Sequence, residues 1–217
     1  MIARYDIIQG SEEWLRIKWG KIGGTLSKGL FVKSDTLLID ILSQLNEDFE
    51  LGDEPYESSD MIRGVELEPI GRKELSKYIG IELNECGWLQ CEEYQILGIS
   101  PDGISKDETV SAEIKCPAAK KHMNTIYNGE IPSDNIHQCL HYFTVNPKLE
   151  RHYFCSFRPE NKIMQLFVKE LTRNSLIDLG TKAKPNVKTI SEWVAIAKNE
   201  VNTLLVQIKN TNERLSF

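Results

Sequence analysis

Long apolar runs are missing from this sequence: none of its stretches approaches the ~20 residues a membrane-spanning helix requires. A helical membrane protein is therefore excluded. The first ten residues, MIARYDIIQG, have neither the apolar core nor the cleavage pattern of a signal peptide, so a cytoplasmic protein is expected. Cysteine is sparse and unpatterned. Cys86, Cys91, Cys116, Cys139 and Cys155 are odd in number and never spaced Cys-x-x-Cys, which points to reduced, mostly buried thiols. An excess of positive charge is also absent. At a formal net charge of −6 the chain is no general nucleic-acid coat, because non-specific DNA affinity comes from Lys and Arg neutralising phosphates. Internal repeats, low-complexity tracts and a clear domain linker are missing too.

What is present suits one α/β domain. The 217 residues, 41% hydrophobic and 27% charged, are enough to bury a real core. Acid concentrates between Glu47 and Asp60, a stretch with no basic residue. Near the start, Arg16, Lys18, Lys21, Lys28 and Lys33 cluster, so a local basic track for DNA remains open beside the plainer reading of a solvated surface.

Taken in order, Ser11 caps a short helix through Trp14 and Ile17, and Gly23-Gly24 breaks it before a second helical segment near Thr25. Trp14 reads as a core aromatic. Leu38, Ile41, Leu42 and Leu45 give a scaffold helix from Asp35, and a longer helix is expected from Ser59 to Tyr78. Pro69 should kink or loosen it just after Glu68; spacing alone leaves Glu66 and Glu68 in solvent. From Trp88 to Cys91, Tyr94 to Ile99 and Val110 to Cys116 the pattern reads as a meander of short strands. Helices follow over Ala118 to Tyr127, with Lys120 and Lys121 in its first turns, and over Ser133 to Val145. Then come strands over Arg151 to Phe157 and Ile163 to Lys169, a connector at Lys182 to Lys188, and a long amphipathic helix from about Thr189 to Leu215.

The stretch SPDGISKDETVSAEIKCP, residues 100–117, carries the chemistry. Side chains alternate along a strand, so Glu113 and Lys115 share one face while Ile114 points away and offers its carbonyl between them. Asp102, in a Pro-Asp-Gly turn that opens the same hairpin, meets that face. Two carboxylates and a carbonyl form an all-oxygen site of the kind Mg²⁺ prefers, and a nearby ammonium orients a water. Such a set looks like a metal-dependent nuclease centre, although Glu-x-Lys after an acid is by itself a common pattern. Gln138 and Tyr142, one helical turn apart, add a second polar face.

Four blocks in this order and spacing, GSEEWLRIKWGKIGGT, RGVELEP, SPDG with AEIKCP, and QCLHY leading to RHYFCSF, give the chain a likeness from about Tyr5 to Lys169. It resembles the phage-lambda-type exonucleases, the YqaJ-like viral recombinase family within the PD-(D/E)xK nucleases. The resemblance implies a restriction-endonuclease-like core, a central mixed β-sheet flanked by helices, with N-terminal helices over 1–82, catalytic sheet and helices over 83–170 and a helical extension over 171–217, all one domain. It implies a Mg²⁺-dependent enzyme, with Mn²⁺ as a substitute, that digests linear double-stranded DNA ends 5′ to 3′; the Asp102, Glu113 and Lys115 set suggests two-metal hydrolysis as its mechanism. The product would be a 3′ single-stranded tail for a single-strand annealing protein, and the assembly a homotrimer. By the same likeness Asp102, Glu113, the Ile114 carbonyl and Glu68 hold metal, Lys115 holds the attacking water, and Gln138 and Tyr142 shape the pocket. Lys18 and Thr25 stand where the family carries Arg and Ser for the 5′-phosphate, with Arg16 as a substitute guanidinium. Lysine keeps the charge but loses the bidentate geometry.

Competing readings are an endonuclease on the same fold and an inactive DNA-end-binding or assembly protein; retention of Lys115 argues against the second. His137 and His141 have the spacing of a zinc-protease helix, but Gln138 replaces its glutamate. With no cysteine after Cys155, a cysteine-ligated iron-sulfur site is disfavoured.

Overall fold

Period-two alternation decides the centre of the molecule. A computed structural model describes residues 1–32, 34–51 and 59–215; Lys33 and the middle of the expected acidic run lie outside the described residues. Strands β4 (Gly103–Ile104), β5 (Val110–Lys115), β6 (Arg151–Phe157) and β7 (Leu166–Thr172) form a mixed sheet in that order. The β5–β6 pair is parallel, with Ala112 beside Tyr153 and Glu113 beside Phe154, and its neighbours are antiparallel. Val110, Ala112 and Ile114 join Tyr153, Cys155 and Phe157 in an apolar cluster with Leu75 of helix α3 (Ser59–Ile79). Gly71 makes that approach possible: a Cβ there would come within 3.1 Å of the Ile114 side chain and 3.2 Å of Phe157. The opposite face of the sheet receives α5 (Ser133–Val145), through Cys139, Leu140, Tyr142 and Phe143.

A second sheet was not legible as such. Strand β1 (Ile2–Tyr5), which has no counterpart among the expected elements, pairs antiparallel with β2 (Trp88–Cys91), and β2 with β3 (Gly98–Ile99). The expected meander is therefore split between two sheets, because the chain leaves the first at the Pro101-Asp102-Gly103 turn and enters the second. The strand expected from Tyr94 shrinks to Gly98–Ile99, since the chain turns with the Leu97 N–H donating to the Tyr94 carbonyl. The strand expected from Ile163 starts at Leu166, after Asn161 Oδ1 accepts from the Ile163 and Met164 N–H groups. Part of the connector is paired as well: β8 (Leu176–Asp178) and β9 (Val187–Thr189) make a small hairpin.

The helices follow their patterns closely, except that the segment expected near Thr25 is a single 3-10 turn at Ser27–Leu30. Ser11 caps α1 (Glu12–Lys18) by accepting from the Trp14 N–H; α2 covers Asp35–Leu45 and α4 Ala119–Asn128. Helix α3 continues through Pro69 as one element, and the carbonyl that loses its partner belongs to the exposed residue Val65. Helix α6 (Ile190–Leu215) packs on its own core rather than standing free: Trp193, Val194, Ala197, Val201, Leu204 and Ile208 are buried with α5 and α2, while Leu205 is exposed. All five cysteines are free and buried, and burial pushes Cys86 and Cys116 up to about 11.

Two fully buried histidines lock these layers. His141 Nε2 donates to the Ile22 and Gly98 carbonyls, which uses the residue structurally, and His152 Nδ1 meets Ser111 Oγ while its ring stacks on Tyr142. Burial lowers His141 to about 4 and His152 to about 3, so both are neutral in the fold. The unfolded chain takes up their protons near pH 6.5, hence their contribution to stability is present above that pH and is lost as pH falls toward 4. Each such proton weights stability by ~1.4 kcal/mol per pH unit. His152→Phe, which keeps the stacking, is expected to flatten the decline in melting temperature between pH 6.5 and 4 relative to the unsubstituted protein. A parallel decline in both would exclude His152 as a contributor.

Candidate active site

The β4–β5 hairpin brings Asp102 to β5. Its loop closes with Asp107 accepting from Ser105 and Thr109, and with Glu108 at a φ of +65°, a left-handed position that favours a tight reversal. Pairing between β4 and β5 ends at Ala112, so the Ile114 N–H on that edge has no ladder partner and donates to Asp102 Oδ2 at 2.6 Å. In a strand the carbonyl of a residue points to the same edge as its own N–H. The Ile114 carbonyl is thus turned toward Asp102, as the alternation predicts.

Glu113, 0% exposed, accepts from the Tyr142 hydroxyl at 2.7 Å on Oε2 and meets the Lys115 ammonium on Oε1. Asp102 is 8% exposed. Its carboxyl is held well above the usual range by burial first and by Glu113 second, against a pull downward from Lys115. Burial alone would lower the Lys115 ammonium, but Glu113 and Asp102 outweigh it and keep it charged above its ordinary range. Glu68, on α3, is half-buried rather than solvent-facing, and Glu66 is exposed. Burial raises Glu68, its partner Arg72 opposes that at 2.8 Å, and Glu113 reinforces it. Each carboxylate thus feels another, so the three acids named from sequence converge electrostatically.

This donor set fits a divalent cation chemically. The donors are hard carboxylate and carbonyl oxygens, and the acids raise one another's affinity for a proton, an effect that a cation would relieve. Among the described residues no three Asp, Glu, His or Cys side chains already grip a common point. The physical reason is visible: Ile114, Tyr142, Lys115 and Arg72 each engage one of the oxygens concerned.

Tyr142 and Gln138 lie on one face of α5, as expected. The Gln138 amide has no hydrogen-bond partner among the described residues and packs on Gly24, where a Cβ would come within 3.0 Å of it. Lys18 Nζ sits 3.4 Å over the Trp14 ring, and burial lowers it to about 8. Trp14 is more than a core aromatic: its Nε1 donates to Ser100 Oγ at 2.8 Å and the Gly87 carbonyl at 3.0 Å, tying α1 to the turn that carries Asp102. Thr25 is exposed. Arg16 pairs with Glu12 at 2.8 Å, both side chains exposed, and its guanidinium lies over the Phe49 ring. On its outer side Lys115, 38% exposed, opens onto a cavity of about 500 Å³ lined also by Lys121, Asn124, Asn128 and Asn135. Sequence reasoning missed Ser100, Arg72 and Arg158, which donates to the Pro117 carbonyl after β5. Only Arg72 left a signal, its i,i+4 spacing from Glu68.

Two buried carboxylates and a lysine gathered at a mixed sheet, with an acid from the flanking helix, form a site of the kind a nuclease uses. The chain belongs to the YqaJ-like viral recombinase domain family, whose model matches residues 13–148. Among solved structures it is similar to an alkaline exonuclease from Laribacter hongkongensis, LHK-Exo, at 24% identity with a TM-score of 0.75, covering 94% of this chain and 96% of that one. The same enzyme in complex with dAMP gives a TM-score of 0.74 at the same identity and coverage. No curated protein matches the sequence.

Removing one hydroxyl from a buried, charged hydrogen bond costs ~1.5–3 kcal/mol. Tyr142→Phe is therefore expected to lower the urea midpoint by that equivalent and nuclease turnover by about tenfold. An unchanged urea midpoint would show that Glu113 does not depend on this hydroxyl.

Proposed function

We propose that the protein is a Mg²⁺-dependent exonuclease that degrades linear double-stranded DNA from its 5′ ends and leaves 3′ single-stranded tails. The convergence of Asp102, Glu113 and Lys115 on one wall of β5 supports this reading most directly, with family membership behind it. Asp102, Glu113, the Ile114 carbonyl and Glu68 would hold the cation. Bound there, a divalent ion supplies positive charge against the phosphate and lowers the pKa of an attacking water. Lys115 orients that water from the cavity side and balances charge developing on the phosphoryl oxygens. Tyr142 holds Glu113 Oε2 by a hydrogen bond and so aims the carboxylate, and Asp102 is held by the Ile114 N–H. Gln138, Thr25 and Lys18 form the end-recognition side, with Lys18 as a point charge for a terminal phosphate. The cavity beyond Lys115 leaves room for a nucleotide of the cut strand, with Lys121 near its backbone. A homotrimer and a single-strand annealing partner follow from the family likeness and complete the proposal.

Incubation of linear and closed circular duplex with Mg²⁺ separates the readings. Loss of linear DNA alone is expected; cutting of the circle would mean an endonuclease, and no cutting an end-binding protein. Glu113→Gln should reduce the rate by about 10²–10³-fold, the size of effect seen when one electrostatic catalytic group is removed, and retained activity would sink the site assignment. Lysine is charged below its pKa and neutral above it, so preference for 5′-phosphate over 5′-hydroxyl ends, read in kcat/KM, should shrink as pH rises through about 8. Lys18→Arg should keep the preference at pH 9. A preference that does not change with pH in the unsubstituted enzyme would remove Lys18 from end recognition.

A further inference from the structure

One guanidinium touches more of the acidic cluster than any residue assigned to it. Arg72, on α3, is 12% exposed and makes three contacts: its Nε donates to the backbone carbonyl of Asp102, Nη2 to Glu68 Oε1 at 2.8 Å, and Nη1 to Glu85 Oε2 at 3.4 Å. It is one turn after Glu68 on the same helix, whereas Asp102 lies 30 residues away in a turn between two sheets. The planar fork is suited to this, because its separate N–H groups hold a carbonyl and a carboxylate in fixed relation, which a single ammonium cannot do. Space around it is tight: a Cβ on Gly103 would come within 3.4 Å of Arg72 Cγ and 3.2 Å of Leu83. The turn carrying Asp102 therefore rests against the arginine stem as well as on its head group.

We propose that Arg72 is a positioning residue, fixing the Asp102 turn and the Glu68 carboxylate relative to each other so that both face the cation held with Glu113. The proposal rests on the metal-dependent nuclease reading above. Two opposed effects follow from a cation in this place. Its charge repels a divalent ion and occupies one oxygen of Glu68, which weakens metal binding; its geometry sets two of the ligands in advance, which strengthens it. Residues that orient metal ligands typically change metal affinity 10–100-fold when lost. The positioning effect is the larger here, because the guanidinium holds Asp102 by its backbone and leaves the whole carboxylate of that residue available.

The test is a Mg²⁺ titration without DNA, following the rise in melting temperature, alongside the Mg²⁺ concentration for half-maximal cleavage of linear duplex. Arg72→Lys conserves charge but cannot make both contacts, so it isolates geometry; Arg72→Met removes both. A midpoint moved at least tenfold upward in Arg72→Lys is expected, with turnover at saturating Mg²⁺ restored to within about threefold. Glu85→Gln, which alters only the outermost contact, should leave the midpoint within twofold. The metal-free melting temperature reports whether each variant folds, and if Arg72→Met does not, Arg72→Lys carries the comparison. An Arg72→Lys midpoint equal to the unsubstituted one, whether or not stability falls, overturns the proposal, as does tighter Mg²⁺ binding in Arg72→Met. If the unsubstituted protein shows no Mg²⁺-dependent shift, the metal reading fails and this inference with it. If it shows one that Glu113→Gln abolishes and Arg72→Lys leaves unmoved, the positioning role alone fails.

Discussion

A carboxylate shut away from water must be met by donors or by an opposite charge, since an unpaired buried ion costs several kcal/mol. Glu113 is in that position, in a central strand with no exposed surface. The Tyr142 hydroxyl and the Lys115 ammonium satisfy it, so the placement of α5 is a condition of the site. That placement is set elsewhere. His141 ties α5 to Ile22 and Gly98, and the apolar side of α6 packs against it, so a C-terminal helix remote from the chemistry supports the geometry of the acid.

Around Glu113 the charges do not balance locally. Asp102 and Glu68 are both raised by burial and by their acidic neighbours, with Lys115 and Arg72 as the cations that oppose this. Clusters in which burial and like charges displace several groups at once are where catalytic sites tend to be found. The arrangement is costly as a scaffold and suited to a cation and a phosphate. On the other side of Ser100, Lys18 rests on Trp14 with no carboxylate paired to it among the described residues, and the indole N–H links that lysine's platform to the Asp102 turn. One tryptophan thus joins helix α1 and its lysine to the turn that carries Asp102.

Much of this was legible in one dimension because it depends on local periodicity. The bounds of α5, β6 and α6 follow from apolar spacing and from Pro and Gly positions, and the shared face of Glu113 and Lys115 follows from the alternation of a strand. Glu68 was not legible from spacing. Whether a helix residue faces solvent depends on which side of α3 meets the sheet, and that side is selected by Gly71 and Leu75 packing on Ile114 and Phe157. Strand β1 was missed for a related reason: its four residues carry little pattern of their own and become a strand by pairing with β2 across the chain.

By itself the sequence determined most of the helices and the strands β2, β5 and β6, the order of Asp102, Glu113 and Lys115, the absence of a long apolar run and the family likeness, since each is a matter of nearest neighbours or of short motifs in order. Only the tertiary structure decided that the expected meander belongs to two sheets, that the Arg16 guanidinium lies over Phe49, and that Arg72 reaches from its own helix to the Asp102 carbonyl. These depend on contacts between residues distant in the chain, whose closure entropy is offset by packing that no local pattern records.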